Sequence, residues 1–207
     1  MKICILATGR CGSTSLFGCI KNHLSDRYTF LIEPFNANMN MINNFSADQK
    51  SIIELKEDIL IKTLIGHTQK DIHIEDMYTW IFDYFDEVIL LDRANVQLQV
   101  ESFSYQEYTK NLKWHDKKRY RMEIIPKDII ETNIKRLELS TNKINELSKK
   151  YNKKIYYYED IFLDNNMETI GEIFNTIKQT PNQDLLNFWI VSNEKRVRLS
   201  DDEIKLI

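Results

Sequence analysis

Short apolar runs alternate along the chain with longer stretches in which hydrophobic residues recur every three or four positions, a pattern that predicts an α/β protein. The first run, Lys2-Ile-Cys-Ile-Leu-Ala7, is apolar at consecutive positions and predicts a strand buried on both faces, as in a parallel sheet. It ends in a glycine turn, after which Leu16, Cys19, Ile20 and Leu24 repeat at helical spacing, with Ser13 or Thr14 placed to cap the helix. Tyr28 to Ile32 predicts a second strand, broken by Glu33-Pro34-Phe35-Asn36, and residues 36–46, rich in Asn and Met, predict a loop. A helix around 48–57, a strand from Ile59 to Ile65 stopping at Gly66, a helix over 75–85 and a strand from Glu87 to Leu91 continue the alternation.

The helical pattern returns from Asn95 to about Tyr108, and residues 110–121 form a basic, polar connector with Trp114 and His115. Ile130, Ile134, Leu137, Ile144 and Leu147 then mark the apolar face of a long amphipathic helix over 127–150. Lys154 to Tyr158 predicts a last strand with Glu159-Asp160 at its end, followed by a helix over 168–178 and a tail carrying Lys195-Arg196-Val197-Arg198. Neither an internal repeat nor a linker-like composition divides the 207 residues, so one domain over 1–207 is expected. The predicted fold class is α/β: a three-layer sandwich with a mainly parallel central sheet between helices.

Charge and cysteine usage narrow the functional classes. With 28 basic and 31 acidic side chains well mixed and a net charge of −3, the chain lacks the basic excess of a general nucleic-acid binder. A local basic pocket for a small polyanion remains compatible with that balance. Cys4, Cys11 and Cys19 include no Cys-x-x-Cys pair and have no histidine cluster beside them, so isolated reduced thiols and no metal site are expected. The apolar run at Ile3–Ala7 is too short to span a bilayer. With a functional motif starting at residue 8, a cytoplasmic protein without a membrane span is expected.

That motif is Thr8-Gly9-Arg10-Cys11-Gly12-Ser13-Thr14-Ser15, and it has the ingredients of an anion cradle. Glycines let successive N–H groups converge on one point. A helix starting near Ser13 adds the partial positive charge of its N-terminus, and Arg10 adds a planar, permanently charged fork. Only two residues separate Gly9 from Gly12 and no lysine follows, whereas a nucleoside-triphosphatase loop needs four and then Lys with Ser or Thr. A kinase or triphosphatase is disfavoured on that ground.

The segment from Thr8 to Leu16 resembles the 5′-phosphosulfate-binding loop of sulfotransferases that use 3′-phosphoadenosine 5′-phosphosulfate (PAPS). The resemblance implies a nucleotide-binding fold of the P-loop type. It also implies that Arg10, Gly12, Ser13 and Thr14 hold the phosphosulfate, with backbone contacts from Cys11 and Ser15. Val88-Ile-Leu-Leu-Asp-Arg93 and the following helix to Ser102 resemble the family's 3′-phosphate site, an Arg at the end of a central strand and a Ser about two turns into the next helix. The nine-residue step from Arg93 to Ser102 is similar to the bacterial branch; a step of eight would put Glu101, a carboxylate, against a phosphate. Trp114, the segment Tyr157-Tyr158-Glu159-Asp160, and the late basic residues Arg196 and Arg198 are similar to less specific family features.

The resemblance implies transfer of a sulfuryl group from PAPS to an acceptor hydroxyl, leaving adenosine 3′,5′-bisphosphate, with no metal. The acceptor would be a small molecule or glycan; Glu33-Pro34-Phe35 resembles a segment of carbohydrate sulfotransferases and points to a carbohydrate or lipid-linked sugar. Glu33, at the end of the second strand, is one candidate base and His67 the other. Lys62-Thr63 resembles the Lys-Thr-His segment of cytosolic sulfotransferases, but Leu64 stands where that histidine would be. A nucleoside or nucleotide kinase, and a catalytically inactive nucleotide-binding domain, remain as alternatives.

Overall fold

The computed structural model describes residues 1–36, 49–67, 72–109, 125–163, 167–187 and 189. Five strands form one parallel sheet: β1 (Lys2–Ala7), β2 (Thr29–Ile32), β3 (Ile59–Leu64), β4 (Glu87–Asp92) and β5 (Ile155–Tyr157), in the order β2-β3-β1-β4-β5. The described helices are α1 (Ser13–His23), α2 (Gln49–Glu54), α3 (Ile74–Tyr84), α4 (Val96–Thr109), α5 (Lys127–Tyr151), α6 (Tyr158–Phe162) and α7 (Met167–Thr176). Among the described residues no helix is long and apolar enough to cross a membrane.

Strand β1 lies at the centre, pairing Lys2 with Ile59 on one side and Ile3 with Glu87 on the other. Its side chains from Ile3 to Ala7 are fully buried, because alternate residues enter separate cores on the two faces. Ile3, Ile5 and Ala7 pack with Leu16 and Ile20 of α1 and with Ile170 and Phe174 of α7. Cys4 and Leu6 pack on the other face with Met77 and Ile81 of α3 and with Ile144 and Leu147 of α5. This is the expected α/β fold, an all-parallel sheet with helices on both faces.

Two boundaries differ from the sequence pattern. Helix α1 is capped by Gly12 in the left-handed region (φ 77, ψ 8) and not by a Ser13 or Thr14 side chain, which moves both residues into the first helical turn. Strand β5 stops at Tyr157 and the chain turns at once into α6, so Glu159 and Asp160 occupy a helical first turn instead of a strand end. Carboxylates are favoured there by the exposed N–H groups of the helix start. The expected loop over 36–46 falls outside the described residues except for Asn36, and so do Trp114, His115, Arg196 and Arg198.

The order of the strands creates the one place where ligands collect in open parallel sheets. From β1 the chain crosses to β2 on one side, while from β4 it crosses to β5 on the other. The loops after β1 and β4 therefore diverge and leave a crevice at the carboxyl edge between two adjacent strands. Leu6→Ala, in the centre of the sheet, should cost about 2–5 kcal/mol in stability. Urea unfolding would register this as a lower midpoint at unchanged slope.

Candidate functional site

The turn after β1 is built from left-handed residues, Arg10 at φ 62 and Gly12 at φ 77. Glycine takes that conformation freely, but an arginine held there carries strain of roughly 1–3 kcal/mol, of the kind that concentrates at binding sites. Neither glycine of the turn has room for a side chain. A Cβ on Gly9 would lie 2.6 Å from the Phe103 ring, and one on Gly12 would lie 2.6 Å from Phe162 and 2.9 Å from Tyr158. The turn is gripped between an aromatic from α4 and two from α6.

Below the turn lies a buried polar network. The Thr8 hydroxyl donates to Asp92 Oδ1 at 2.5 Å, and Gln99 Nε2 donates to Thr8 Oγ1 at 2.9 Å and to the Gly9 carbonyl at 2.6 Å. Thr8 and Gln99 are fully buried and Asp92 is nearly so. Burial raises the Asp92 pKa, against the opposing pull of the Thr8 hydroxyl and the Arg93 N–H. One helix turn further along, Ser102 Oγ accepts from Arg10 Nε at 2.9 Å. Gln99, Ser102 and Phe103 thus line one face of α4, at the i, i+3, i+4 spacing of neighbours on a helix, and all three act on the loop after β1.

The loop after β4 brings a second guanidinium to the same edge. Arg93 lies over the Tyr158 ring, 4.5 Å from its centroid, and its Nε is 3.6 Å from Glu159 Oε1. That separation is beyond hydrogen-bond reach, and Arg93 Nε is buried without a hydrogen-bond partner among the described residues. Glu159 instead accepts the N–H groups of Ala94 at 2.8 Å and Asn95 at 3.1 Å, fixing the turn that presents Arg93. Arg10 is close enough to feel the second cation: its crowding by protein atoms first, and the Arg93 charge second, lower its pKa. Among the described residues no carboxylate pairs with Arg10. The arrangement is a concentrated positive charge at the crevice with one guanidinium uncompensated.

Arg10 to Ser15, Arg93 and Ser102 therefore converge on one edge of the sheet. The Arg93 guanidinium does not pair with Asp92, which turns inward to Thr8 and accepts the Arg93 N–H, nor with Glu101, which accepts from Gln97 Nε2 at 3.2 Å. Ser13 is buried at the first helical position, Thr14 is exposed beside it, and the Ser15 carbonyl accepts from Trp189 Nε1 at 3.1 Å. Cys11 is buried with its thiol bonded to the Thr8 carbonyl at 3.0 Å, and burial pushes its pKa up to about 11, which leaves it an unreactive packing residue.

The two candidate bases stand in different states. Glu33, at φ 51 after β2, has both carboxylate oxygens engaged, Oε1 by Lys62 Nζ and Oε2 by Asn36 Nδ2 at 2.8 Å. Burial raises its pKa, but the Lys62 and Asn36 bonds outweigh this and the net shift is downward. His67 is kept from protonating mainly by burial, against the opposing pull of Glu33, and its buried Nδ1 has no partner among the described residues. His67 lines a cavity of about 520 Å³ whose wall also includes Gly9 of the turn after β1 and Phe103 of α4.

Gln99, Asp92 and Phe103 carry the loop's geometry without standing out in the sequence. The one sign that could have marked them is the helical spacing of Gln99 and Phe103 around Ser102. Set against family models, curated proteins and solved structures, the chain finds no match in any of the three.

Two outcomes test this geometry. Gln99→Leu removes the donor to Thr8 and Gly9 and should cost about 1–3 kcal/mol, with faster amide exchange at residues 10–14. Glu33→Gln leaves the buried Lys62 ammonium unpaired and should cost roughly 3–5 kcal/mol near neutral pH. Because the Glu33 pKa is lowered from 4.5, the pair contributes fully above that pH and its contribution is lost as pH falls through the folded value. Acid unfolding of the variant should lack that component, and Glu33→Gln with Lys62→Met should recover most of the stability.

Proposed function

We propose that the chain is a sulfotransferase that takes a sulfuryl group from PAPS and passes it to an acceptor hydroxyl. The observation that carries this reading is the convergence of Arg10 and Arg93, from loops after two adjacent parallel strands, on one edge of the sheet where, among the described residues, no carboxylate pairs with Arg10. A ligand with two separated anionic groups fits two guanidinium groups so placed. A strand order of β2-β3-β1-β4-β5, with the glycine turn leaving the central strand, supports a P-loop type of nucleotide-binding domain. In this reading the turn from Arg10 to Ser15 takes the 5′-phosphosulfate, and Arg93 with Ser102 takes the 3′-phosphate. A kinase reading is weaker here, since the turn lacks a lysine and the Asp92 carboxylate is committed to Thr8 and the Arg93 N–H.

The chemistry follows from these roles. As the acceptor oxygen bonds to sulfur, the bond from sulfur to the bridging oxygen breaks and its electron pair leaves with the 5′-phosphate. Arg10 and the N–H groups at the start of α1 stabilise that developing charge, being fixed before the reaction begins. The acceptor proton goes to His67. Glu33 serves as the anchor of Lys62 and not as the base, because its oxygens are occupied and its basicity is lowered.

Calorimetry with adenosine 3′,5′-bisphosphate tests the binding half. Arg93→Ala should weaken it at least tenfold, about 1.4 kcal/mol, while adenosine 5′-monophosphate is affected much less; equal losses remove Arg93 from the 3′-phosphate. His67→Asn should leave that affinity intact and lower turnover by roughly 10²–10⁴-fold. Since the His67 pKa is lowered from 6.5, the imidazole stays neutral at pH 6.5 and above. The rate should fall only as pH drops below that value, and this limb should vanish in the variant.

A further inference from the structure

A segment well separated in sequence from the turn after β1 makes contact with it through a row of aromatic rings. Residues 183–187 are helical, started by Asn182, whose Oδ1 accepts the N–H groups of Asp184 at 3.0 Å and Leu185 at 3.1 Å. Leu186 anchors the segment in the core with Leu16 and Phe174, and His23 at the end of α1 places Nε2 3.3 Å from the Asn182 carbonyl. Trp189 is half-buried, and its indole Nε1 donates to the Ser15 carbonyl in the first turn of α1 at 3.1 Å. Its ring centroid lies 5.2 Å from that of Phe162, and Phe162 stacks on Tyr158 at 4.7 Å. Those two rings are the ones that leave no room for a Cβ on Gly12. Tyr158 in turn carries the Arg93 guanidinium 4.5 Å from its centroid.

We propose that Trp189 is a positioning residue for the edge of the sheet that carries Arg10 and Arg93. Its N–H fixes the first turn of α1, and its ring sets Phe162 and Tyr158, and with them the seats of Gly12 and Arg93. The contact chain stands on the packing alone; its bearing on a doubly phosphorylated nucleotide rests on the sulfotransferase reading. In a close-packed interior the place of each ring is fixed by the neighbours on its other side. Removing the indole opens space into which Phe162 can turn, and Tyr158 stacked on it then loses its backing. A cation held over a ring face responds to such a tilt, because the attraction belongs to the face. A displacement at Trp189 is thereby carried along packed side chains to Gly12 and to Arg93. The indole makes both contacts, whereas phenylalanine keeps a ring without the N–H and leucine supplies neither.

The test uses the full chain labelled with nitrogen-15 and reads three resonances: the Gly12 amide, the Leu16 amide next to the Ser15 carbonyl, and the Arg93 Nε–H. Trp189→Phe should move the Leu16 amide and leave the other two in place. Trp189→Leu should move all three, speed exchange of the Gly12 amide roughly tenfold, and weaken adenosine 3′,5′-bisphosphate about fivefold, a loss that Trp189→Phe largely restores. A residue that only holds its own segment down would lower the thermal midpoint and leave the Gly12 and Arg93 resonances where they are. That result overturns the proposal, as does equal displacement of those two resonances in both variants, or unchanged affinity in Trp189→Leu. Tyr158→Leu reads the same chain from its other end and should shift the Trp189 indole N–H. An unmoved indole there overturns the proposal even where Trp189→Leu fails to fold. Displaced resonances in a chain that does not bind the bisphosphate uphold the positioning role and overturn the sulfotransferase reading alone.

Discussion

The Thr8 hydroxyl, placed between the Asp92 carboxylate and the Gln99 amide, ties the loop after β1 to the strand and helix that follow it by some eighty residues in sequence. Without these bonds the left-handed conformation of Arg10 would relax, since nothing intrinsic to arginine favours it. The network is buried, so each of its members would be costly to leave unpaired. Arg10 is in turn held by Ser102 from the same face of α4. The direction in which the N–H groups of the turn point is therefore set by a helix distant in sequence.

The electrostatics of the crevice follow from the same connection. Strands β1 and β4 are adjacent, so the guanidinium groups that leave their carboxyl ends are forced into proximity. Glu159 restrains this repulsion only in part. Its oxygens serve the N–H groups of Ala94 and Asn95, and its approach to Arg93 stops short of a hydrogen bond. The Tyr158 ring holds the Arg93 cation by its π face. Two positive charges are thereby held close together at one edge of the sheet.

On the other flank of the loop the division of labour between Glu33 and His67 is set by burial and pairing. Lys62 is buried in the sheet and needs a counter-charge, and Glu33 at the end of the neighbouring strand provides it. A carboxylate so engaged is held in its ionised form and is a weak base. His67 lies at the wall of the apolar cavity, where burial favours the neutral imidazole that can accept a proton. The same cavity is lined by Gly9 of the turn after β1.

The alternation of apolar runs and helical periods in the sequence was enough to establish the parallel sheet, the helices on both faces and the order of the elements, because burial on both faces of a strand demands continuous hydrophobicity. The tight turn at Gly9 and Gly12 and the position of Arg93 after β4 were legible for a similar reason: glycines at short spacing and the end of an apolar run mark where a strand stops. The roles of Gln99, Phe103 and Glu159 were not legible, nor was the commitment of Glu33 to Lys62. Each arises from contact between segments far apart in the chain, and local periodicity carries no record of which side chains a strand order brings together. Whether a carboxylate is a base or an anchor depends on its neighbours in space, and the tertiary structure alone supplies those.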